Sequence, residues 1–249
     1  MDYTKYKNYI VKPFPGTAES DDFTLTPTGW KILVDESVSE LIEKELGMRY
    51  LGGYIWASEY ENHRRKVVKL FLVNQSYATF QWGWNFDFIP KPSGKKLMNT
   101  RTDKSIYSHL FEVSVDFYRG TKNREKTILS ANGNSIAQFE QSITEMAESY
   151  RKAFRYVLPT IKHFYNETNT YDKILGNIEK KLNSPNRYFR FINHEMGMVK
   201  IFIEYFIGKE NLAYENFAQL EFSSEELRAL WLSKLKKVQE ISIDNSEVR

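Results

Sequence analysis

The chain has 249 residues, a formal net charge of +3, no cysteine and 15% aromatic residues. A chain of this length can bury a sizeable core, and abundant aromatic residues with a small net charge argue against disorder. The absence of cysteine excludes disulfides, thiolate zinc sites and a cysteine nucleophile. The sequence shows no signal peptide and no apolar run of the about 18 residues that cross a membrane. We therefore expect a cytoplasmic protein with no membrane segment.

The N-terminal part is predicted to be an irregular arm followed by a helix. Residues 1–26 contain two prolines and then an acidic run, with no regular apolar period. A helix is predicted from Pro27 or Thr28 to Leu46, because apolar residues recur there at three- and four-residue steps. Proline is tolerated in a first helical turn, and Gly47 suits the left-handed conformation that ends a helix.

The apolar period then changes to two, which predicts β-strands. A Gly-Gly pair at 52–53 is expected to interrupt or bulge the first of them. Alternation of polar and apolar residues on neighbouring strands is typical of an antiparallel sheet with one covered face. The segment 90–108 is long for a hairpin connection. The predicted strands lie within 48–58, 66–73, 78–89 and 110–118.

The third predicted strand carries five aromatic side chains at two-residue intervals, from Phe80 to Phe88. These rings share one face of the strand, and the polar residues between them share the other. Burying five such side chains is worth about 10 kcal/mol, which favours a core position beneath the protein's own helices. The alternative is a stacking platform for single-stranded nucleic acid around Trp82 and Trp84. Asp87, on the polar face, is expected to pair with a lysine or arginine across the sheet.

From Ser135 onward, apolar residues recur with helical spacing. The first of these helices is long, and Pro159 is expected to end or kink it. Ser223 and Glu226 have the spacing of a capping box at the start of the last helix. Shorter helices are predicted over 171–182, 189–207 and 211–220.

Together these elements predict an α+β fold. We expect an antiparallel sheet of four or more strands, packed by amphipathic helices and followed by a helical C-terminal region. The predicted division is an irregular arm at 1–26, a sheet region at 27–134, a helical region at 135–240 and a loose tail at 241–249. The sheet and helical regions are compatible with one continuous domain.

The sequence contains no recognisable metal or cofactor motif. The four histidines lack the i, i+4 spacing of a helical metal pair, and H-E-x-x-H is absent. The chain also has no glycine-rich phosphate loop and no G-x-S-x-G nucleophile turn. We therefore expect neither a metal nor a cofactor.

Positive charge is concentrated in the middle third of the chain, where residues 49–126 hold 14 Lys and Arg against seven Asp and Glu. The basic runs fall at predicted strand ends and loops, and they form a positive edge if they share one rim. Such an edge can bind an acidic protein surface or the phosphates of a nucleic acid. Basic loops also protect strand edges and aid solubility. The candidate binding residues are Arg64, Arg65, Lys66, Lys95, Lys96, Arg101, Arg119, Lys122 and Arg124.

Arg187 and His194 enclose six residues in a region predicted to be helical. This spacing resembles the Arg-x4–6-His signature of a helical ribonuclease superfamily that occurs in bacterial toxins and antiviral systems. The resemblance implies a metal-independent ribonuclease, in which arginine stabilises charge on the phosphate and histidine performs acid–base chemistry. Tyr188 stands where that family usually has a small polar residue.

The order of parts also resembles a loose group of small bacterial proteins of unknown function, over about residues 28–220. The similar segments are "NQSYATFQWGWNFDF", "RYVLPTIKHFYN" and "INHEMGMVKIFIEYFIGKENLAYENF". Some members of that group look like immunity proteins in loci of bacterial conflict, which implies binding rather than catalysis.

We therefore predict a non-enzymatic binding protein of bacterial conflict or defence, of the immunity type or a subunit of a defence complex. Its expected partner is another protein, such as a toxin or a defence-complex subunit. The alternative is a nucleic-acid-binding effector or ribonuclease of a toxin or antiviral system. That alternative uses Arg187 and His194, or a stacking sheet flanked by Arg64, Arg65, Lys95 and Lys96.

Overall fold

The computed structural model describes residues 4–11, 24–72, 77–93, 96–98, 109–113, 136–137, 143–183 and 196–243. In chain order, the first elements are a 3-10 helix (Thr4–Tyr9), β1 (Ile10–Val11), β2 (Thr24–Leu25) and α1 (Pro27–Leu46). The next are β3 (Arg49–Gly52), β4 (Ile55–Ala57), β5 (Arg64–Leu72), β6 (Tyr77–Phe86), β7 (Lys91–Ser93), β8 (Lys96–Met98), β9 (Leu110–Val113) and β10 (Ile136–Ala137). The remaining helices are α2 (Ile143–Glu167), α3 (Tyr171–Leu182), α4 (Met196–Phe206), α5 (Glu210–Ala218) and α6 (Glu225–Ile243).

The predicted α+β fold with an antiparallel sheet is confirmed. The described strands include a six-stranded sheet in the order β10-β6-β5-β4-β3, in which β9 also pairs with β6. The pairs β10–β6, β3–β4 and β4–β5 are antiparallel. Helices α3 to α6 form the C-terminal helical region.

The chain divides into two compact units. The first consists of Met1–Glu59, Lys66–Trp82 and Glu112–His163, and the second of Tyr60–Arg65, Gly83–Phe111 and Phe164–Arg249. Each unit therefore takes residues from both the strand-rich and the helix-rich part of the sequence. The boundary predicted between residues 134 and 135 lies outside the described residues, as does the tail after residue 243.

The N-terminal arm has regular structure in its described residues, which corrects the prediction of an irregular arm. The side chain of Tyr6 is fully buried, and its hydroxyl donates to Glu36 on α1 over 2.7 Å. The backbone N–H of Thr26 donates to the carbonyl of Tyr9. Gly29 allows this close approach, because a Cβ at that position would lie 2.6 Å from the Cβ of Tyr9. The arm is thus held against the first turn of α1.

Helix α1 begins and ends where local signals predict. The Thr26 hydroxyl accepts from the backbone N–H of Gly29, Pro27 occupies the first turn, and Gly47 has φ 64°. These features satisfy backbone groups that a helix end leaves without intrahelical partners.

The aromatic rings of β6 are buried, as predicted. Trp82 is 2% exposed and Trp84 is 4% exposed. In the first unit, Phe80 packs edge-on against Phe154 of α2 at a centroid distance of 5.5 Å. The indole N–H of Trp56 on β4 donates to the Ser39 hydroxyl of α1 over 2.7 Å, which satisfies this buried donor.

The polar face of β6 is also covered, which differs from the one-sided sheet that the alternation predicts. Gln81 is 2% exposed and Asn85 is fully buried. Alternation assigns residues to faces of a strand, but it does not determine whether a face meets water.

The chain is interrupted at the Gly-Gly pair, as predicted: the register shifts between Tyr50 and Gly52, and Gly53 and Tyr54 form the turn from β3 to β4. Other local predictions differ from the structure. Residues 136–137 form a strand, so the long helix α2 begins later than the expected position near Ser135. Pro159 does not end the helix: it lies inside α2 on its exposed face, with buried residues before and after it. The last helix is capped by the Ser224 hydroxyl, which accepts from Leu227 N–H, rather than by Ser223.

Segment 90–108 contains the β7–β8 hairpin, and its residues 99–108 lie outside the described part of the chain. Helix α3 has the predicted bounds of 171–182. The helices predicted over 189–207 and 211–220 correspond to α4 and α5.

Helix α4 is the centre of the helical region in the second unit. It contacts α3, α5 and α6, and most of its side chains are buried. The ring of Phe202 packs edge-on against Trp231 of α6 at 5.7 Å. The carboxylate of Glu204 is 1% exposed, and it accepts from the side-chain amide of Asn216 on α5 over 2.8 Å.

Candidate functional site

A two-residue turn precedes β5 and places a histidine next to a carboxylate. Asn62 and His63 both have positive φ, at 48° and 61°, a conformation that non-glycine residues seldom adopt. The turn is closed by a bridge between Glu61 and Arg64. Nδ1 of His63 lies 3.1 and 3.2 Å from the two carboxylate oxygens of Asp87. Asp87 thus has a histidine as one of its partners.

The guanidinium of Arg64 is enclosed by two aromatic rings. It lies 4.8 Å from the ring centroid of Trp84 and 4.9 Å from that of Tyr171. One of its terminal nitrogens donates to the backbone carbonyl of Asn169 over 2.5 Å. Burial of the group lowers the pKa of Arg64. These contacts tie the start of β5 to the segment before α3 and hold the half-buried Arg64 between the two rings.

Aromatic contacts extend this cluster to the end of α4. The ring of Phe206 stacks on Phe88 at 4.4 Å, and His63 contacts its edge at 5.5 Å. Tyr171 also contacts Phe206, and its hydroxyl donates to the carbonyl of Asn62. Burial raises the pKa of Tyr171 well above its usual range. The His63–Asp87 pair is therefore fixed by packing on several sides.

A second polar network surrounds Asn85 of β6. The side-chain oxygen of Asn85 accepts from the Tyr60 hydroxyl and from Nε of Arg65, the latter over 3.0 Å. His109 completes the network: its Nδ1 accepts from the Phe86 backbone N–H over 3.1 Å. Its other ring nitrogen therefore carries the proton and donates to the carbonyl of Ile89 over 2.9 Å.

Burial lowers the pKa of His109 to about 3, so the ring is neutral near pH 7. Its two nitrogens bond one backbone donor, the Phe86 N–H, and one backbone acceptor, the Ile89 carbonyl. This histidine supports the structure of the second unit.

The structure shows four of the predicted binding residues. Arg65 is 3% exposed and binds Asn85, so it cannot contact a partner at the surface, and its assignment to a basic edge is wrong. Arg64 is held between the rings of Trp84 and Tyr171. Lys66 is half-buried on β5, and Lys96 is exposed on β8. Lys95, Arg101, Arg119, Lys122, Arg124, Arg187 and His194 lie outside the described residues.

An open groove between α5 and α6 is the strongest candidate for a binding surface. It has a volume of about 670 Å³ and is lined by Tyr214, Phe217, Ala218, Glu225, Arg228, Ala229, Leu232 and Lys236. The lining residues of each helix follow helical spacing, at 214, 217 and 218 on α5 and at 225, 228, 229, 232 and 236 on α6. A cleft of this size falls in the range of ligand-binding sites.

The aromatic side chains that line the groove pack against neighbouring side chains of the protein. The Tyr214 ring packs edge-on against Tyr205 at 5.6 Å, and the two hydroxyls lie 3.4 Å apart. The Tyr205 hydroxyl donates in turn to the side-chain oxygen of Gln239 on α6 over 3.5 Å. Phe217 is held by Phe222 at 5.1 Å. Because these contacts hold the rings before anything binds, the groove side chains lose little conformational entropy when a partner binds.

Charged side chains mark the two ends of the groove. Near the start of α6, a carboxylate oxygen of Glu225 lies 3.7 Å from the Arg228 guanidinium. Lys236 lies about two turns beyond Arg228 on the same stripe. The first end is therefore close to neutral, and the second is positive.

No family model matches this chain. Neither a curated protein nor a solved structure matches it. None of the described helices is both long enough and apolar enough to span a membrane. Within the described ranges, no group of three or more His, Asp or Glu side chains could hold a metal ion.

Sequence reasoning missed the groove. The signal is present in α6, which carries two apolar stripes instead of one. Trp231, Leu235 and Val238 form the buried stripe, whereas Ala229 and Leu232 lie on a different side of the helix. The sequence analysis did not consider the second stripe.

Proposed function

We propose that the chain is a non-enzymatic binding protein, and that a partner protein docks in the groove between α5 and α6. The observation that carries this proposal is an open, apolar groove whose aromatic walls are fixed in advance. Tyrosine and arginine, which are enriched among residues that dominate binding energy, both line it.

The expected partner is a toxin or a defence-complex subunit, as the similarity to immunity-type proteins implies. An immunity-type protein acts by occupying its partner, so it needs a recognition surface and no reaction centre. The product of the neighbouring gene is therefore the first partner to test.

The test compares one substitution inside the groove with one outside it. Ala229→Trp fills the groove, whereas Lys237→Trp places the same ring on the exposed surface of α6 outside the lining. Binding of the neighbouring gene product is measured by isothermal titration calorimetry, and circular dichroism verifies that both variants fold. We expect Ala229→Trp to weaken binding by at least about 100-fold, near 2.7 kcal/mol, and Lys237→Trp to leave it within about threefold.

Absence of binding by the unmodified chain would contradict the proposal. Equal binding by both variants would show that the partner docks on another surface, which would remove the groove from the proposal.

A further inference from the structure

The dimensions of the groove favour a helical occupant. Its lining on α6 runs from Glu225 to Lys236, which corresponds to about 16 Å of helix. Lining residues at 225, 228, 229, 232 and 236 repeat with helical spacing along the whole of this length. An amphipathic helix of about three turns therefore matches the groove in length.

The shape of the lining supports the same occupant. Ala218 and Ala229 are both exposed, and their small side chains leave space in the groove beside the larger Tyr214 and Leu232. Small side chains at such positions let a third helix pack at the usual interaxial distance of about 8–10 Å. An extended peptide would gain less, because helices offer no row of backbone groups for strand addition.

The charge of the groove indicates what the occupant carries. Glu225 and Arg228 largely neutralise each other. Lys236 has no ion-pair partner in the part of the chain that the structure describes, and Lys237 follows it on the exposed surface. A carboxylate at this end of the occupant would complement the field of Lys236.

We propose that the groove binds an amphipathic helix of a partner protein, with an acidic residue of that helix placed next to Lys236. The proposal rests on the proposed function, and it adds the secondary structure and the charge of the partner segment. The apolar side chains of the helix, spaced at i, i+3 or i+4 and i+7, lie over Ala218 and Ala229. Its polar face remains in water.

The experiment uses two synthetic fluorescein-labelled peptides as probes. Both have leucines at i, i+4 and i+7 in a helix-favouring sequence, and they differ only in a glutamate or a lysine at the end that faces Lys236. Fluorescence anisotropy measures their binding to the unmodified chain and to the variants Ala229→Trp, Lys236→Glu and Lys237→Glu. Lys237→Glu makes the same charge change at the next residue, outside the groove lining.

We expect the glutamate peptide to bind the unmodified chain about tenfold more tightly than the lysine peptide, a difference of about 1.4 kcal/mol. Lys236→Glu should reverse this preference, Lys237→Glu should preserve its direction, and Ala229→Trp should remove binding of both peptides.

Two other results would overturn the inference in different ways. Equal binding of both peptides, still lost in Ala229→Trp, would remove the acidic specificity and leave the groove as a docking site. Failure of both peptides to bind the unmodified chain would overturn the helical occupant, and the calorimetry with the neighbouring gene product would then decide the proposed function separately.

Discussion

Acid sensitivity of folding is the most direct test of the buried network around His109. The imidazole is neutral in the folded protein, where its pKa is about 3 against 6.5 for the free side chain. Between these two values the unfolded chain binds a proton that the folded chain does not. Stability is therefore retained above pH 6.5 and falls as the pH drops from 6.5 towards 3.

The magnitude follows from the two pKa values. At pH 5, about 1.5 units below the pKa of the unfolded imidazole, the unfolded chain binds a proton at this residue and the folded chain does not. This one residue therefore lowers the free energy of unfolding by about 2 kcal/mol relative to pH 7. His109→Gln removes the titrating group while keeping one acceptor for Phe86 N–H and one donor for the Ile89 carbonyl.

Urea denaturation at pH 7, 6 and 5 measures the effect. The unmodified chain should lose about 2 kcal/mol more than His109→Gln between pH 7 and pH 5. His163→Gln is the matched control, because His163 is exposed on α2, and this variant should follow the unmodified chain. Parallel pH profiles for the unmodified chain and His109→Gln would refute a neutral His109 in the folded state.

Two further substitutions test the packing of each unit. Gly29→Ala should lower the free energy of unfolding by about 1–3 kcal/mol, because its Cβ would meet that of Tyr9; thermal and urea denaturation measure this, and an unchanged midpoint would contradict the close approach. Glu204→Ala should lower the free energy of unfolding by about 2–3 kcal/mol, because it removes a buried carboxylate that accepts from Asn216 and contacts Lys200. The control Glu215→Ala, on the exposed surface of α5, should lower it by less than about 0.5 kcal/mol. Equal losses for these two glutamates would show that the Glu204 contacts do not stabilise the helical region.

Helix bounds were predictable where the signal is local. Helix α1 begins at Pro27 and ends before Gly47, and α3 spans Tyr171–Leu182, both as predicted. A capping hydroxyl, a first-turn proline and a left-handed glycine act within one turn of the chain, so they can be identified in the sequence. The helix does not end at Pro159, because buried residues on both sides of it favour continuation of the helix.

The polar networks could not be predicted from the same pattern. Alternation in β6 correctly placed Asn85 and Asp87 apart from the aromatic rings, but their partners come from residues 20 or more positions away in the chain. A polar residue in a strand is buried when such distant groups satisfy its hydrogen bonds, and spacing alone carries no information about them. The basic run at 63–66 shows the same limit: Lys66 is half-buried, Arg64 lies between two aromatic rings, and Arg65 is buried.

The second apolar stripe of α6 separates the requirements of folding from those of binding. Trp231, Leu235 and Val238 are buried, and Phe202 packs against the first of them, so this stripe holds α6 in the helical region. Leu232 lies outside that stripe and lines the groove. Leu232→Gln should therefore change the free energy of unfolding by no more than about 0.5 kcal/mol. The same change should weaken binding of the neighbouring gene product about tenfold, because it places a polar amide against the apolar face of the partner. A loss of stability as large as that of Leu235→Gln would mean that the groove stripe serves folding, and the reason to regard it as a recognition surface would disappear.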